Sequence, residues 1–119
     1  MWCVGMIKNI TSGNVLVKNK VFCRSVFQKA KGLMFSNLIY DVGYIFVFDA
    51  ARRIDLHMFF VFFIIDVIFL DDNKKVIELK ENFLPFTFYY SKNKAKYFIE
   101  LPKGTIVNKK IKINDVIEF

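Results

Sequence analysis

Apolar and polar positions along the chain alternate with a period of two, or run on without a polar break, and helical spacing appears once. In "NVLVKNKVFC", residues 14–23, β-branched Val15, Val17 and Val21 follow the turn signal Gly13-Asn14, which predicts one strand or two joined at Lys18 to Lys20. In "SVFQKAKGLM", residues 25–34, Ser25 sits as an N-cap, Val26, Phe27, Ala30 and Leu33 fall on one face, and Gly32 lies near the end. That spacing predicts a short helix over about residues 25–33. The continuous apolar run at 43–48 and the segment 54–63, apolar on both faces after Leu56, read as strands, the second covered on both sides. "DVIFL" (66–70), the turn "DDNK" (71–74) and "KVIELK" (75–80) read as a hairpin, with Val76, Glu78 and Lys80 on one side and Ile77 and Leu79 on the other. Pro85 breaks the aromatic segment 81–96 into an ordered loop with a short edge strand at Thr87 to Tyr90. "YFIEL" (97–101) and "DVIEF" (115–119) supply the last strands. About eight short strands with one short helix predict a mostly β fold, a small antiparallel β-sandwich or partly closed barrel.

Composition agrees with a packed fold. The 119 residues are 55% hydrophobic with 15 Phe and only 2 Pro, a length and content suited to a single domain over 1–119. The net charge of +7 favours anionic partners in principle. It is carried mostly by Lys, with Arg only at 24, 52 and 53, and Lys lacks the planar fork suited to phosphate. Solvated lysines beside Phe, Ile and Asn are also what a compositional bias of the coding sequence produces.

Cys3 and Cys23 form neither a metal-ligand spacing nor a disulfide framework, and free thiols in a reducing cytosol are expected. The opening "MWCVGMIKNI" lacks the features of a signal peptide, so a cytoplasmic protein is expected. The longest uncharged apolar run, Met58 to Ile65, falls short of the roughly 18 to 20 residues a membrane-spanning helix needs. Within "HMFFVFFIIDVIFLDD" (57–72) Asp66 is the one carboxylate among the apolar residues 58–70 and would be costly to bury unpaired. It is expected at a corner between two strands, accepting backbone N–H groups.

Several blocks together resemble the domain-of-unknown-function 192 family: "KGLMFS" (31–36), "GYIFVF" (43–48), the segment 57–79, "YFIELPKGT" (97–105) and "IKINDVIEF" (111–119). The resemblance covers about residues 21–119. The family's basic-Gly-Leu-Met is present as Lys31, Gly32, Leu33 and Met34, and Glu-Leu-Pro-x-Gly as Glu100, Leu101, Pro102 and Gly104. Its central Trp-Met-Lys-Asn-Thr block keeps only Met58, with His57 for Trp and Phe59, Phe60 and Val61 for the polar cluster; Asp66 keeps its identity further on. The resemblance implies a compact, mostly β fold and no accepted activity.

Two functional readings follow. The first is a non-enzymatic module with a cleft near Asp66 for a small molecule or a partner protein, its candidate residues Lys31, Met34, His57, Met58, Asp66 and Glu100. Glu100, ending a strand before Pro102, is expected to pair at the surface with a lysine such as Lys31. The alternative is single-stranded nucleic-acid binding through Tyr89 and Tyr90 with Lys92, Lys94 and Lys96. An acid-base pair of His57 and Asp66 ranks last, no nucleophile motif accompanies it, and no catalytic residue, metal or cofactor is assigned.

Overall fold

Strands dominate the fold, and β-branched and aromatic residues, which suit a pleated and half-buried surface, recur along them. The computed structural model describes residues 3–23, 41–57, 64–84 and 87–119. The expected helix over 25–33 lies outside them. Among the described residues nine strands run in chain order: β1 (Cys3–Asn9), β2 (Asn14–Cys23), β3 (Val42–Arg52), β4 (Asp55–His57), β5 (Ile65–Leu70), β6 (Val76–Phe83), β7 (Phe88–Tyr90), β8 (Ala95–Pro102) and β9 (Ile117–Glu118). One helical turn, Thr105–Asn108, follows β8.

Seven strands form one sheet in the order β6-β5-β8-β3-β2-β1-β9, and β4 pairs with β7 apart from it. The fold is mostly β, as expected. The sheet is not wholly antiparallel, because β2 and β3 run parallel, Asn19 opposite Val42 and Cys23 opposite Phe46. Parallel neighbours need a long crossover, which is why a pattern of hairpins did not describe this pair.

The sheet curls into a half-barrel whose ends are stitched together. Val116 bridges Lys75, Val76 donates its N–H to the Asp115 carbonyl at 2.8 Å, and Ile117 donates to the Lys74 carbonyl at 2.9 Å. All seven strands send residues to the enclosed face, among them Ile7, Val17, Ile45, Ile68, Val76, Ile99 and Ile117. The opposite face carries Tyr44, Phe46, Val67, Phe69 and Phe98, with Ile54 and Tyr89 packed there from outside the main sheet. Phe46 and Phe98 stack with centroids 4.3 Å apart. Both faces of β5 are therefore buried, as the apolar run Val67 to Leu70 requires.

Gly43 lies on the enclosed face, where a Cβ would come within 2.4 Å of the Ile7 side chain and 3.1 Å of Val17. Only the absence of a side chain lets β3 approach β1 and β2 this closely. Gly43→Ala is expected to lower stability by about 1 to 3 kcal/mol, the usual cost of overpacking a core. Thermal melting monitored by circular dichroism checks this, and an unchanged melting temperature would contradict it.

Candidate functional site

Strand alternation decides which candidate side chains can meet. In β8, Ile99 and Leu101 face the enclosed core, so Phe98 and Glu100 face the other side. Opposite them, Val67 pairs with Glu100 and Asp66 with Leu101. Asp66 and Glu100, one residue out of step, therefore project from opposite faces of the sheet. The expected cleft joining them is not formed by this pair.

Asp66 is 1% exposed and is the second residue of β5, inside the strand and not at a corner before it. Its Oδ1 accepts the Asn82 N–H and its Oδ2 the Ile106 N–H, both at 3.0 Å. Asn82 sits at φ +52° beside a register shift between β5 and β6, and Ile106 lies in the helical turn after Gly104. The acceptor role read from the sequence holds, but the donors come from two distant segments. With each oxygen filled by a backbone N–H, Asp66 is committed to holding β6 and the helical turn together.

Glu100 is also 1% exposed, which corrects its expected place at the surface. It lies between Tyr44 of β3 and Val67 of β5 on the aromatic face. It is engaged and is not a free carboxylate. His57 is placed by its backbone alone, opposite Phe88 in the β4–β7 ladder. Lys31, Met34 and Met58 lie outside the described residues.

The residues proposed for nucleic acid fare unevenly. Tyr89 gives its hydroxyl to Glu78, its ring packs against Phe69 and Phe83, and the Lys80 ammonium stands over it. It is not available as a stacking platform. Tyr90 is exposed and carries the Arg53 guanidinium 4.9 Å from its centroid. Lys92 and Lys94 are exposed, whereas Lys96 is half-buried over Tyr97.

A buried hub that sequence reading missed is Glu78, 6% exposed on β6. Besides Tyr89, it accepts the N–H groups of Lys92 and Asn93 at 2.9 Å and the Asn93 side-chain amide at 3.1 Å. Burial alone would raise its pKa, but the hydrogen bonds from Tyr89, Lys92 and Asn93 together hold the carboxyl below its ordinary value. Burial, then the hydrogen bond to Glu78 and its charge, push the Tyr89 hydroxyl up to about 12. Both groups move away from neutral pH, the reverse of what a general acid or base needs. The pair is a clamp on the 89–93 loop. A second buried acid, Asp115, accepts from the Asn9 side chain at 2.7 Å and the Lys112 N–H at 2.9 Å, tying β1 to the segment before β9.

Among the described residues, no three His, Cys, Asp or Glu side chains gather as a metal site. No described helix is long and apolar enough to cross a membrane. The architecture and its locked acids define a small, mostly β domain. The chain belongs to the DUF192 family, described as an uncharacterised ACR, whose model matches residues 8–119. It is 36% identical over 115 residues to a UPF0127 protein of Thermococcus sibiricus, covering 96% of this chain and 74% of that protein. It is 31% identical over 111 residues to a UPF0127 protein of Pyrococcus furiosus, covering 93% of this chain and 95% of the relative. A crystal structure of a protein of unknown function from Novosphingobium aromaticivorans matches with TM-score 0.79 at 24% identity, covering 96% of this chain and 82% of that one. That likeness supports the fold alone.

Proposed function

We propose that this chain is a non-enzymatic binding module that takes a small molecule with a cationic or hydrogen-donating group on the aromatic face of its sheet, with Glu100 as the anchor. The observation that carries this reading is the position of Glu100, a buried carboxylate in an inner strand of the aromatic face, between Tyr44 and Val67. Asp66, Glu78 and Asp115 each satisfy backbone N–H groups that the fold must pair. Burying a carboxylate on the aromatic face costs several kcal/mol of desolvation. Such a position suits recognition better than stability. Lys31, Met34, His57 and Met58 remain candidates to complete the ligand's surroundings, while Asp66 supports the scaffold from the other side.

Native mass spectrometry of the protein purified without denaturation tests this. The wild type is expected to carry a non-covalent small-molecule adduct that Glu100→Gln loses, with the variant's unfolding free energy within about 1 kcal/mol of wild type. A loss of about 3 kcal/mol or more in Glu100→Gln would mark a structural ion pair and sink the reading. An adduct-free wild type would count against it equally.

A further inference from the structure

At one mouth of the half-barrel the enclosed face ends in three aromatic rings. Phe22 stands near the end of β2, Tyr97 near the start of β8, and Phe119 follows β9. Their centroids lie 6.1 Å apart for Phe22 and Phe119 and 5.3 Å for Tyr97 and Phe119, so they form one contiguous group. Each ring carries an ammonium: Lys20 lies 5.8 Å from Phe22, Lys74 4.1 Å from Phe119, and Lys96 5.9 Å from Tyr97. Phe22 is 42% exposed, and Val47, across from Tyr97, is 48% exposed. The nearby acid Asp71 turns one oxygen inward to the N–H groups of Asn73 and Lys75. The mouth is thus apolar at its centre and basic at its rim.

We propose that this mouth binds single-stranded nucleic acid, a base against the exposed Phe22 ring, which the half-buried Tyr97 and Phe119 rings back, and phosphates on Lys20, Lys74 and Lys96. Stacking on aromatic side chains joined to a basic rim is how strands are held without sequence preference. The strand must be single, because only an unpaired base can reach a ring. Recognition is sequence-tolerant, since the rim consists of point charges with no guanidinium fork to read a base edge. A bilayer suits the site less well. Tyr97 and Phe119 are half-buried, and the ammonium groups stand over the rings, so no group of rings projects beyond its lysines. The site differs from the Tyr89 and Lys92 region, where the ring is locked, and it lies apart from the Glu100 face.

Fluorescence anisotropy of a fluorescein-labelled oligo(dT) of about twelve nucleotides tests the proposal on the full chain. Binding is expected at low salt, weakening as salt rises. The triple substitution Lys20→Gln, Lys74→Gln and Lys96→Gln should reduce the slope of log affinity against log salt by about 2. Phe22→Ala should weaken binding about tenfold with the salt slope kept, the separation expected of stacking and charge. The exposed control triple Lys92→Gln, Lys94→Gln and Lys103→Gln should cost less than the mouth triple. Flat anisotropy up to about 1 mM protein overturns the proposal. So does a control triple that costs as much as the mouth triple, or Phe22→Ala that binds like wild type. Binding to phosphatidylglycerol vesicles with none to the oligonucleotide overturns it in favour of a lipid surface.

Discussion

Asp66→Ala is expected to unfold at a much lower urea concentration than the wild type, with a loss of about 3 to 5 kcal/mol in unfolding free energy. Two backbone N–H groups, of Asn82 and Ile106, lose a charged acceptor at once. A hydrogen bond to a charged group contributes roughly 1.5 to 3 kcal/mol, and the buried Ile106 N–H would be left without its partner. Relief of the buried charge offsets part of this, which keeps the total below the sum of both bonds at their strongest. Against the roughly 5 to 15 kcal/mol that holds a domain of this size together, the loss is large. It should be felt at Ile106 and Ile111, whose side chains fill the enclosed core beneath the helical turn. Asp66→Asn keeps one acceptor oxygen but turns an amide NH2 toward the other donor, so it should recover only part of the loss. Urea titration followed by circular dichroism decides the matter. A loss below about 1 kcal/mol in Asp66→Ala would mean that water replaces the carboxylate at both donors.

The strands were legible where side-chain chemistry and alternation act locally. The segment 14–23, read from its valines, is β2, and the run around 66–70 is β5 with one residue added. Pairing across the sheet was not legible, since the parallel contact of β2 with β3 depends on a connection and not on either strand's pattern. In β6 the alternation misled. A register shift opposite Phe69 and Leu70 puts Glu78 beside Phe69 and Val76 in the enclosed core with Leu79. A bulge shifts face by one residue and leaves no mark in hydropathy. The short helix Thr105–Asn108 was missed for a related reason: four residues are too few to show a helical period, and Gly104 at φ +85° read only as a turn. The acids divide in the same way. Asp66 stood out because apolar residues surround it in sequence, whereas the burial of Glu78 and Glu100 comes from neighbours far along the chain.

The largest pH effect should arise at Glu78 and Tyr89, with opposite signs on the two sides of neutrality. Glu78 has a folded pKa below its ordinary 4.5, so its contribution is fully present above that value and is lost as pH falls through the folded one. Tyr89 has a folded pKa raised from 10.0 to about 12, so its contribution is present below pH 10 and is lost as pH climbs toward 12. A two-unit gap corresponds to about 2.7 kcal/mol, which solvent at the half-buried ring trims to about 1 to 2 kcal/mol. At pH 7, Glu78→Gln should cost about 2 to 4 kcal/mol, because one amide oxygen cannot serve donors from Tyr89, Lys92 and Asn93 and its NH2 group faces them. Stability measured across pH should show the variant's acid limb flattened, while Tyr89→Phe removes the alkaline limb and leaves the backbone donors to Glu78 in place. Tyrosinate absorbance offers an independent reading, since wild type should contain a tyrosine that titrates about two units late and Tyr89→Phe should not. An acid limb unchanged in Glu78→Gln would assign acid sensitivity to another carboxylate, and the 89–93 loop would then be held by packing on Phe69 and Phe83 in place of charge.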